Sequence, residues 1–265
     1  MMEKMIFGRY IPVDSIIHRM DPRAKLIIVF LFIFVVFLAN NSITYGILGA
    51  FTLIAIFLSN IQLSFIFKGL RFLFWLILFT FLLHIFFTKE GELLVSWGFI
   101  KIYEGGVIQG IFISLRFFFL ILFTSLLTLT TTPIEITDGL ESLLNPLKRF
   151  RFPVHELALM LSIALRFIPT LMDETDKIIK AQQARGVDFS EGSLTTRAKA
   201  VIPLLIPLFI NAFKRADELA TAMEARGYRG GEGRTKYRLL KWDLRDTVSL
   251  LILVSLSVLL FFIRD

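Results

Sequence analysis

The chain has 265 residues, of which 55% are hydrophobic, and it contains 29 phenylalanines. This composition is too apolar for a soluble domain and indicates a polytopic membrane protein. The absence of cysteine excludes disulfides, thiolate metal sites and cysteine nucleophiles. The formal charge of +7 does not indicate nucleic-acid binding, because a basic cytoplasmic face is expected of a membrane protein.

The N-terminal segment is polar and has no apolar stretch followed by a small-residue cleavage site, so we do not expect a removable signal peptide. Asp21 and Pro22 predict a helix start, with Asp21 as the N-cap and Pro22 at the first helical position. We interpret His18 and Asp21 as parts of a cytoplasmic cap that folds back on the membrane helices.

Five apolar segments predict membrane-spanning helices: Ala24–Ala39, Ile43–Leu58, Leu70–Phe87, Val107–Thr128 and Thr247–Ile263. Basic residues before the first segment predict a cytoplasmic N-terminus, and five spans then predict an extracellular C-terminus. Sixteen helical residues rise about 24 Å, against a hydrocarbon core of about 30 Å. A re-entrant pair made of the first two segments is therefore the alternative to two full spans.

The fourth segment carries two features of its own. Gly106 and Gly110 form a GxxxG pattern, which permits close contact with another helix. Arg116 lies about two and a half turns into the segment, and an intramembrane arginine is a functional candidate by default. We favour a packing role for Arg116 inside the helix bundle.

The sequence predicts three regions. Residues 1–130 hold the cap and the first four membrane helices, residues 131–246 form a cytoplasmic module, and residues 247–265 form the last membrane helix. The module contains two long helices of about 30 residues, each about 45 Å long, with an apolar stem and a polar end. The fold class is all-α: about five transmembrane helices and a module of long helices.

The two long helices end in the same eleven-residue pattern. The copies are DKIIKAQQARG, ending at Gly186, and DELATAMEARG, ending at Gly227. Each glycine is placed to end its helix in left-handed geometry, and an arginine beside it offers a planar charged fork to a carboxylate. One copy alone is an ordinary helix cap. Two copies predict a docking device for a partner with approximate two-fold symmetry.

These residues carry a family resemblance. AQQARG and AMEARG, together with the opening SIIHRMDPRAK, resemble the transmembrane T component of energy-coupling factor (ECF) transporters, which are prokaryotic importers of the ATP-binding-cassette type. The resemblance covers nearly the whole chain. It implies a multi-pass subunit of a prokaryotic cell membrane that couples ATP hydrolysis to vitamin or micronutrient uptake without being an enzyme.

The resemblance also implies partners and sites. Two ATPases would bind the motif residues Ala184, Arg185, Gly186, Ala225, Arg226 and Gly227. A substrate-binding S component would contact the apolar stems at Leu157, Leu161, Leu165, Leu204 and Leu208. The chain itself would bind no cofactor, since ATP and magnesium would belong to the ATPases.

Other functions have less support in the sequence. No GxxxxGK[ST] loop is present, so ATP hydrolysis requires another chain. We expect no metal site and no catalytic residues, and we interpret Asp173, Glu174 and Asp176 as a solvated helix face. A T component of a dedicated cobalt or nickel importer is the first alternative. A membrane enzyme or a secondary transporter is less well supported, because the one clear repeat is cytoplasmic.

Overall fold

The computed structural model describes residues 10–97, 100–187, 189, 193–230 and 239–264. These residues form eight α-helices, one 3-10 helix and one β-hairpin, which confirms the mainly helical fold. The elements in chain order are α1 Pro22–Val36, α2 Ser42–Leu58, α3 Leu63–Phe87, β1 Leu93–Trp97, β2 Ile100–Tyr103, α4 Glu104–Thr130, α5 Pro133–Leu144, the 3-10 helix Asn145–Phe150, α6 Val154–Ala184, α7 Leu194–Ala225 and α8 Leu244–Ile263.

The chain divides into two compact units by its internal contacts. The first unit is Met1–Leu143 with Leu239–Asp265, and the second is Leu144–Arg238. The first unit therefore holds α1 to α4 and α8, and the second holds α6 and α7. The predicted division into residues 1–130, 131–246 and 247–265 stays a prediction.

The start of α1 forms as the sequence predicts. The Asp21 side chain accepts a hydrogen bond from the backbone N–H of Arg23 at 2.8 Å, and Pro22 is the first helical residue. Helix α2 begins equally sharply, because Asn41 and Thr44 form a reciprocal capping box. The short link between α1 and α2 therefore includes the N-terminal cap of α2.

Hydrogen bonds between the ends of helices show how the helices of the first unit are directed relative to one another. The starts of α1 and α8 meet where the Asp21 N–H donates to the Asp246 carboxylate at 2.9 Å. At the opposite end, the Asn41 side-chain amide donates to the Ile263 carbonyl at 3.0 Å. The end of α4 returns to the N-terminal segment, where the Ile11 N–H donates to the Leu129 carbonyl at 3.0 Å. Helices α1 and α8 are therefore parallel to each other, and α4 is antiparallel to both.

The core of the first unit lies among α1, α2, α4 and α8. Phe32 stacks on Phe123 with ring centroids 3.9 Å apart, and Leu48 and Leu253 are fully buried beside them. The outward faces of these helices expose large apolar side chains, including Phe34. Extended apolar surface of this kind is typical of helices that contact lipid.

Helices α3 and α4 pack closely, as the GxxxG pattern predicts. A Cβ atom added to Gly106 would lie 3.0 Å from the backbone oxygens of His84 and Thr88, at the end of α3. At Gly110 an added Cβ would lie 3.0 Å from the ring of Phe81. A side chain at either position would require neighbouring atoms of α3 or Thr88 to shift, so the two glycines permit this close helix contact.

Three of the described helices are long and apolar enough to cross a membrane: α4, α6 and α8. Helix α2 and the Leu73–Phe87 part of α3 are apolar but shorter. Helix α6 meets this criterion although the sequence placed it in the cytoplasmic module, because its first half is apolar and its charged residues gather toward the end. The exact number of spans stays a prediction.

One element departs from the all-helical expectation. The link between α3 and α4 contains an antiparallel hairpin, in which β1 pairs with β2 from Leu93 opposite Tyr103 to Trp97 opposite Ile100. The segment is rich in β-branched and aromatic residues, which favour strands.

Candidate functional site

The first candidate site is the C-terminal end of α6. The backbone N–H of Val187 donates to the Gln182 carbonyl at 3.0 Å, and the N–H of Gly186 donates to the Gln183 carbonyl at 3.0 Å. Gly186 has a φ of +88°, in the left-handed region. These two bonds and the left-handed glycine define a Schellman cap, which satisfies the last carbonyls of the helix.

The end of α7 has the same cap. The N–H of Tyr228 donates to the Met223 carbonyl at 3.0 Å, and the N–H of Gly227 donates to the Glu224 carbonyl at 2.9 Å. Gly227 has a φ of +73°. Both predicted helix ends are confirmed, and the sequence repeat is a repeat of backbone structure.

We call Ala184–Gly186 tip 1 and Ala225–Gly227 tip 2. All six residues of the two tips are exposed. Neither Arg185 nor Arg226 forms an ion pair with another residue that the structure describes. Each arginine is the last residue before its glycine, beside the negative end of the helix dipole. The two guanidinium groups are therefore placed where a partner can reach them.

Small residues line the approach to each tip. Ala181 and Ala184 on α6, and Ala222 and Ala225 on α7, are all exposed. Successive members are three residues apart, so each pair lies on one face of its helix. A narrow strip beside a charged fork has the shape to enter a groove that carries a carboxylate.

The predicted contact residues on the apolar stems of α6 and α7 differ in exposure. Leu157 and Leu161 are exposed, whereas Leu165, Leu204 and Leu208 are partly buried. Large apolar side chains on α7 that the sequence analysis did not single out are more exposed: Ile202, Ile206, Phe209 and Phe213. Their spacing of three or four residues was the available signal, since it places them on one helix face.

The acidic residues of α6 do not all form a solvated face. Asp173 and Asp176 are exposed, but Glu174 is partly buried and forms an ion pair with Arg215 of α7. The interpretation of Glu174 as a solvated residue was therefore wrong. The pattern alone placed the carboxylate on the helix but contained no information about the neighbouring helix.

The opening segment Ser15–Lys25 forms a folded cap, as expected. His18 Nδ1 lies 2.7 Å from Ser15 Oγ, and His18 Nε2 lies 3.0 Å from the Ile11 carbonyl oxygen. The Lys25 ammonium donates to the Thr130 carbonyl at 3.0 Å, at the end of α4. These side chains hold the N-terminal segment on the membrane helices.

Arg23 belongs to the N-terminal cap, whereas Arg116 lies within α4 and contacts residues that follow α1. The Arg23 guanidinium donates to both carboxylate oxygens of Asp21, at 3.0 and 2.9 Å. Arg116 donates to the Ala39 carbonyl at 3.3 Å, and its guanidinium lies 4.9 Å from the centre of the Phe37 ring. The structure thus supports the packing role for Arg116.

A metal centre has no support in the described part of the chain. No group of three or more histidine, aspartate or glutamate residues there is arranged to hold a metal ion. His18 uses both ring nitrogens within the cap, and His84 lies near Thr88 at the end of α3.

Comparison with known proteins shows the family of the chain. The profile of the cobalt transport protein family matches residues 14–237, a range that includes the cap and both tips. Three relatives, each described as the energy-coupling factor transporter transmembrane protein EcfT, align over all of this chain. They come from Bacillus subtilis, at 63% identity over 100% of the relative, Listeria innocua, at 58% over 100%, and Staphylococcus aureus, at 50% over 98%.

The match is full-length on both sides, so it includes the first unit, the second unit and the two tips. A subunit of a transporter is what the apolar first unit and the exposed basic tips suggest together. The chain belongs to the family of energy-coupling factor transporter transmembrane proteins.

Proposed function

We propose that the chain is the coupling subunit of an ECF-type importer and transmits ATP-driven motion from two ATPases to a substrate-binding S component. The observation that carries this proposal is the pair of exposed arginines on identically capped helix ends. A structural cap needs the glycine but not the arginine, so the repeated arginine requires another explanation. Binding to a partner with two similar grooves provides it.

Each arginine binds an acidic groove on one ATPase. The guanidinium offers paired N–H donors that match a carboxylate, and desolvation in a groove strengthens such a bond. Ala184 and Ala225 allow the helix end to enter, and Gly186 and Gly227 end the helix without a side chain in the way. The tips are therefore binding sites and not catalytic ones.

ATP hydrolysis takes place in the partner subunits. The sequence contains no phosphate-binding GxxxxGK[ST] loop, so ATP and magnesium belong to the ATPases. The chain acts without a cofactor of its own and is not an enzyme. Its role is mechanical: the tips receive the motion, and the helices that bear them carry it.

The stems of α6 and α7 contact the S component. Leu157 and Leu161 are the exposed members of the predicted set, and exposed apolar residues on α7, such as Ile206 and Phe209, extend the surface. Leu165, Leu204 and Leu208 support it from partly buried positions. Movement of this surface reorients the S component between loading and release of a vitamin or another micronutrient.

The orientation in the membrane follows from the basic N-terminal cap. The cap lies at the end of the first unit where α1 and α8 begin, and it contains Arg19, Arg23 and Lys25. By the positive-inside rule this end faces the cytoplasm. The C-terminus, at the other end of α8, then faces the outside of a prokaryotic cell.

A dedicated cobalt importer is the second candidate. The family profile that matches residues 14–237 carries the description of a cobalt transport protein. The three full-length relatives carry a description that names no substrate. Uptake of radioactive cobalt, compared with uptake of labelled vitamins in the same cells, separates the two candidates.

Affinity purification of the tagged chain from native membranes in mild detergent tests the proposal. We expect two ATPase subunits per chain and a small hydrophobic membrane protein in the same complex. Recovery of the chain alone, in a state that still supports uptake, would contradict the proposal. Mass spectrometry of the intact complex gives the stoichiometry directly.

A further inference from the structure

The 41-residue spacing that relates the two tips also relates two residues that contact each other. Adding 41 to Arg185 gives Arg226, and adding 41 to Glu174 gives Arg215. Glu174 Oε1 and Arg215 Nη2 form an ion pair between α6 and α7. When equivalent positions of two repeats touch, the axis that relates the repeats passes between them.

The ion pair is partly shielded from water. The Glu174 side chain is 18% exposed and the Arg215 side chain 33%. The Arg215 guanidinium also lies 5.8 Å from the centre of the Phe167 ring on α6. Glu174 Oε2 is buried and accepts no hydrogen bond from the residues that the structure describes. The ion pair and the aromatic ring therefore link α6 to α7 at this point.

A second equivalent pair lies at the same place. Leu171 and Ala212 are also 41 residues apart, and both line a cavity of about 280 Å³ between α6 and α7. Ile163 of α6 and Met223 of α7 also line this cavity. Residues early in α6 therefore lie near residues late in α7. The two helices pack antiparallel, with the ion pair between them.

The antiparallel packing places the ion pair midway between the tips. Glu174 lies eleven residues before Arg185, and Arg215 lies eleven residues before Arg226. Eleven helical residues span about 16 Å. The two tips are thus the ends of equal arms that point away from one centre. In the other direction α6 extends 20 residues to Val154, about 30 Å.

We propose that Glu174 and Arg215 form the pivot of the two coupling helices, on the approximate two-fold axis that the two ATPases share. This rests on the proposed function, since it takes the ATPases as the partners of the tips. Because the two arms are equal in length, two similar ATPases can displace the two tips by equal amounts. Because each stem is about twice as long as its tip arm, a given displacement of a tip moves the far end of the stem about twice as far.

The pair acts on coupling through the helices and touches neither substrate nor nucleotide, so its residues are positioning residues. Removing one charge leaves the other partly buried without its partner. The tips still carry Arg185 and Arg226, so the ATPases still bind. The helices then move without a fixed crossing point, and tip motion reaches the stems incompletely.

Pulsed electron paramagnetic resonance on the complete transporter measures this directly. The chain has no cysteine, so cysteines placed at the equivalent exposed positions Gln183 and Glu224 are its only labelling sites, and the purified chain is labelled before it is combined with its partners. The distance between the labels is measured with and without a non-hydrolysable ATP analogue. Substrate uptake and ATPase recovery are measured in the same variants without labels.

We expect Glu174→Gln and Arg215→Gln to retain both ATPases, to broaden the label distance and to lower uptake by about two- to thirty-fold. The exchange Glu174→Arg with Arg215→Glu restores the ion pair and should recover a narrow distance and most of the uptake. Arg215→Lys keeps the charge and should fall between these results, which keeps the test decisive if a neutral variant does not fold. Asp173→Asn and Lys214→Gln, at the exposed neighbouring positions, serve as matched controls.

The pivot is wrong if Glu174→Gln keeps the wild-type label distances, their response to nucleotide and full uptake. It is equally wrong if the charge exchange binds both ATPases but recovers neither the distance nor uptake. Failure of the wild-type chain to retain ATPases contradicts the proposed function instead. The two failures are therefore distinguishable in one set of samples.

Discussion

The Asp246 carboxylate accepts a hydrogen bond from the backbone N–H of Asp21, although 225 residues separate the two in the chain. The second oxygen of Asp246 accepts from the Asp243 N–H at 2.8 Å and so caps α8. Asp21 in turn caps α1 and binds Arg23. One fully buried carboxylate therefore joins the starts of the first and last helices.

Substitution of Asp246 should destabilise the first unit strongly. Asp246→Ala removes the acceptor of two backbone N–H groups and leaves the Asp21 N–H buried without a partner. We expect a loss of about 2 to 4 kcal/mol in the free energy of unfolding. Thermal unfolding of the purified protein in detergent measures it. Arg245→Ala, at the exposed neighbouring position, should change stability little, and equal losses in both variants would contradict this account.

Gly186 and Gly227 should each be sensitive to alanine for a conformational reason. A Cβ at either position meets nothing within 4 Å, but both residues have positive φ, which alanine adopts at a cost of about 1 to 2 kcal/mol. We expect frayed helix ends and weaker ATPase binding, measured by titration of the purified ATPases. The fraying itself can be followed by hydrogen exchange at the tips.

Gly46 is the matched control for these variants. It also has open space around its Cβ position, but it lies within α2 with ordinary helical φ. Gly46→Ala should stabilise the protein by up to about 1 kcal/mol, because alanine favours helix over glycine. If Gly186→Ala or Gly227→Ala behaves like Gly46→Ala, then the left-handed caps are not important for the tips.

The N-terminal cap should weaken as the pH falls. Burial lowers the pKa of His18 below its ordinary value of 6.5, although its hydrogen bond with the Ile11 carbonyl opposes the shift. The unfolded chain then binds a proton at a pH where the folded chain does not. The contribution of His18 to stability is therefore complete above pH 6.5 and declines as the pH falls from 6.5 through the pKa of the folded state.

Unfolding midpoints between pH 7.5 and 5.5 test this expectation. His18→Gln has no titrating group at this position, so the midpoint should vary less with pH than in the wild type. The neighbouring Asp14–Arg19 ion pair is exposed and gives a separate effect at lower pH, because hydrogen bonding to Arg19 lowers the pKa of Asp14. An identical pH profile for wild type and His18→Gln would contradict the role of His18.

Local signals in the sequence predicted local structure well. Asp21 with Pro22 predicted the start of α1, and the two glycines after Arg185 and Arg226 predicted the ends of α6 and α7. Each of these signals acts within one helical turn, so the neighbouring residues contain the necessary information. The GxxxG contact was also predictable, because only small residues permit so close an approach.

Features that depend on another element were not predictable. The burial of Glu174 results from Arg215 on the next helix, and the exposure of Phe209 results from which face of α7 packs on α6. The β1–β2 hairpin needs a pairing between two short segments, each of which is too short to identify alone. The spacing of 41 residues did contain the pairing of Glu174 with Arg215, but only the structure shows that the repeats touch there.

The central claim is that Arg185 and Arg226 bind two ATPases, and reversing both charges tests it most directly. The double variant Arg185→Glu with Arg226→Glu is purified beside Lys180→Glu with Lys214→Glu, which reverses two exposed charges on the same helices but outside the tips. Losing a desolvated charge pair costs about 2 to 5 kcal/mol per arginine. We predict that the arginine variant loses both ATPases and uptake while the lysine variant keeps them. Retention of both ATPases and wild-type uptake in the arginine variant would contradict the claim.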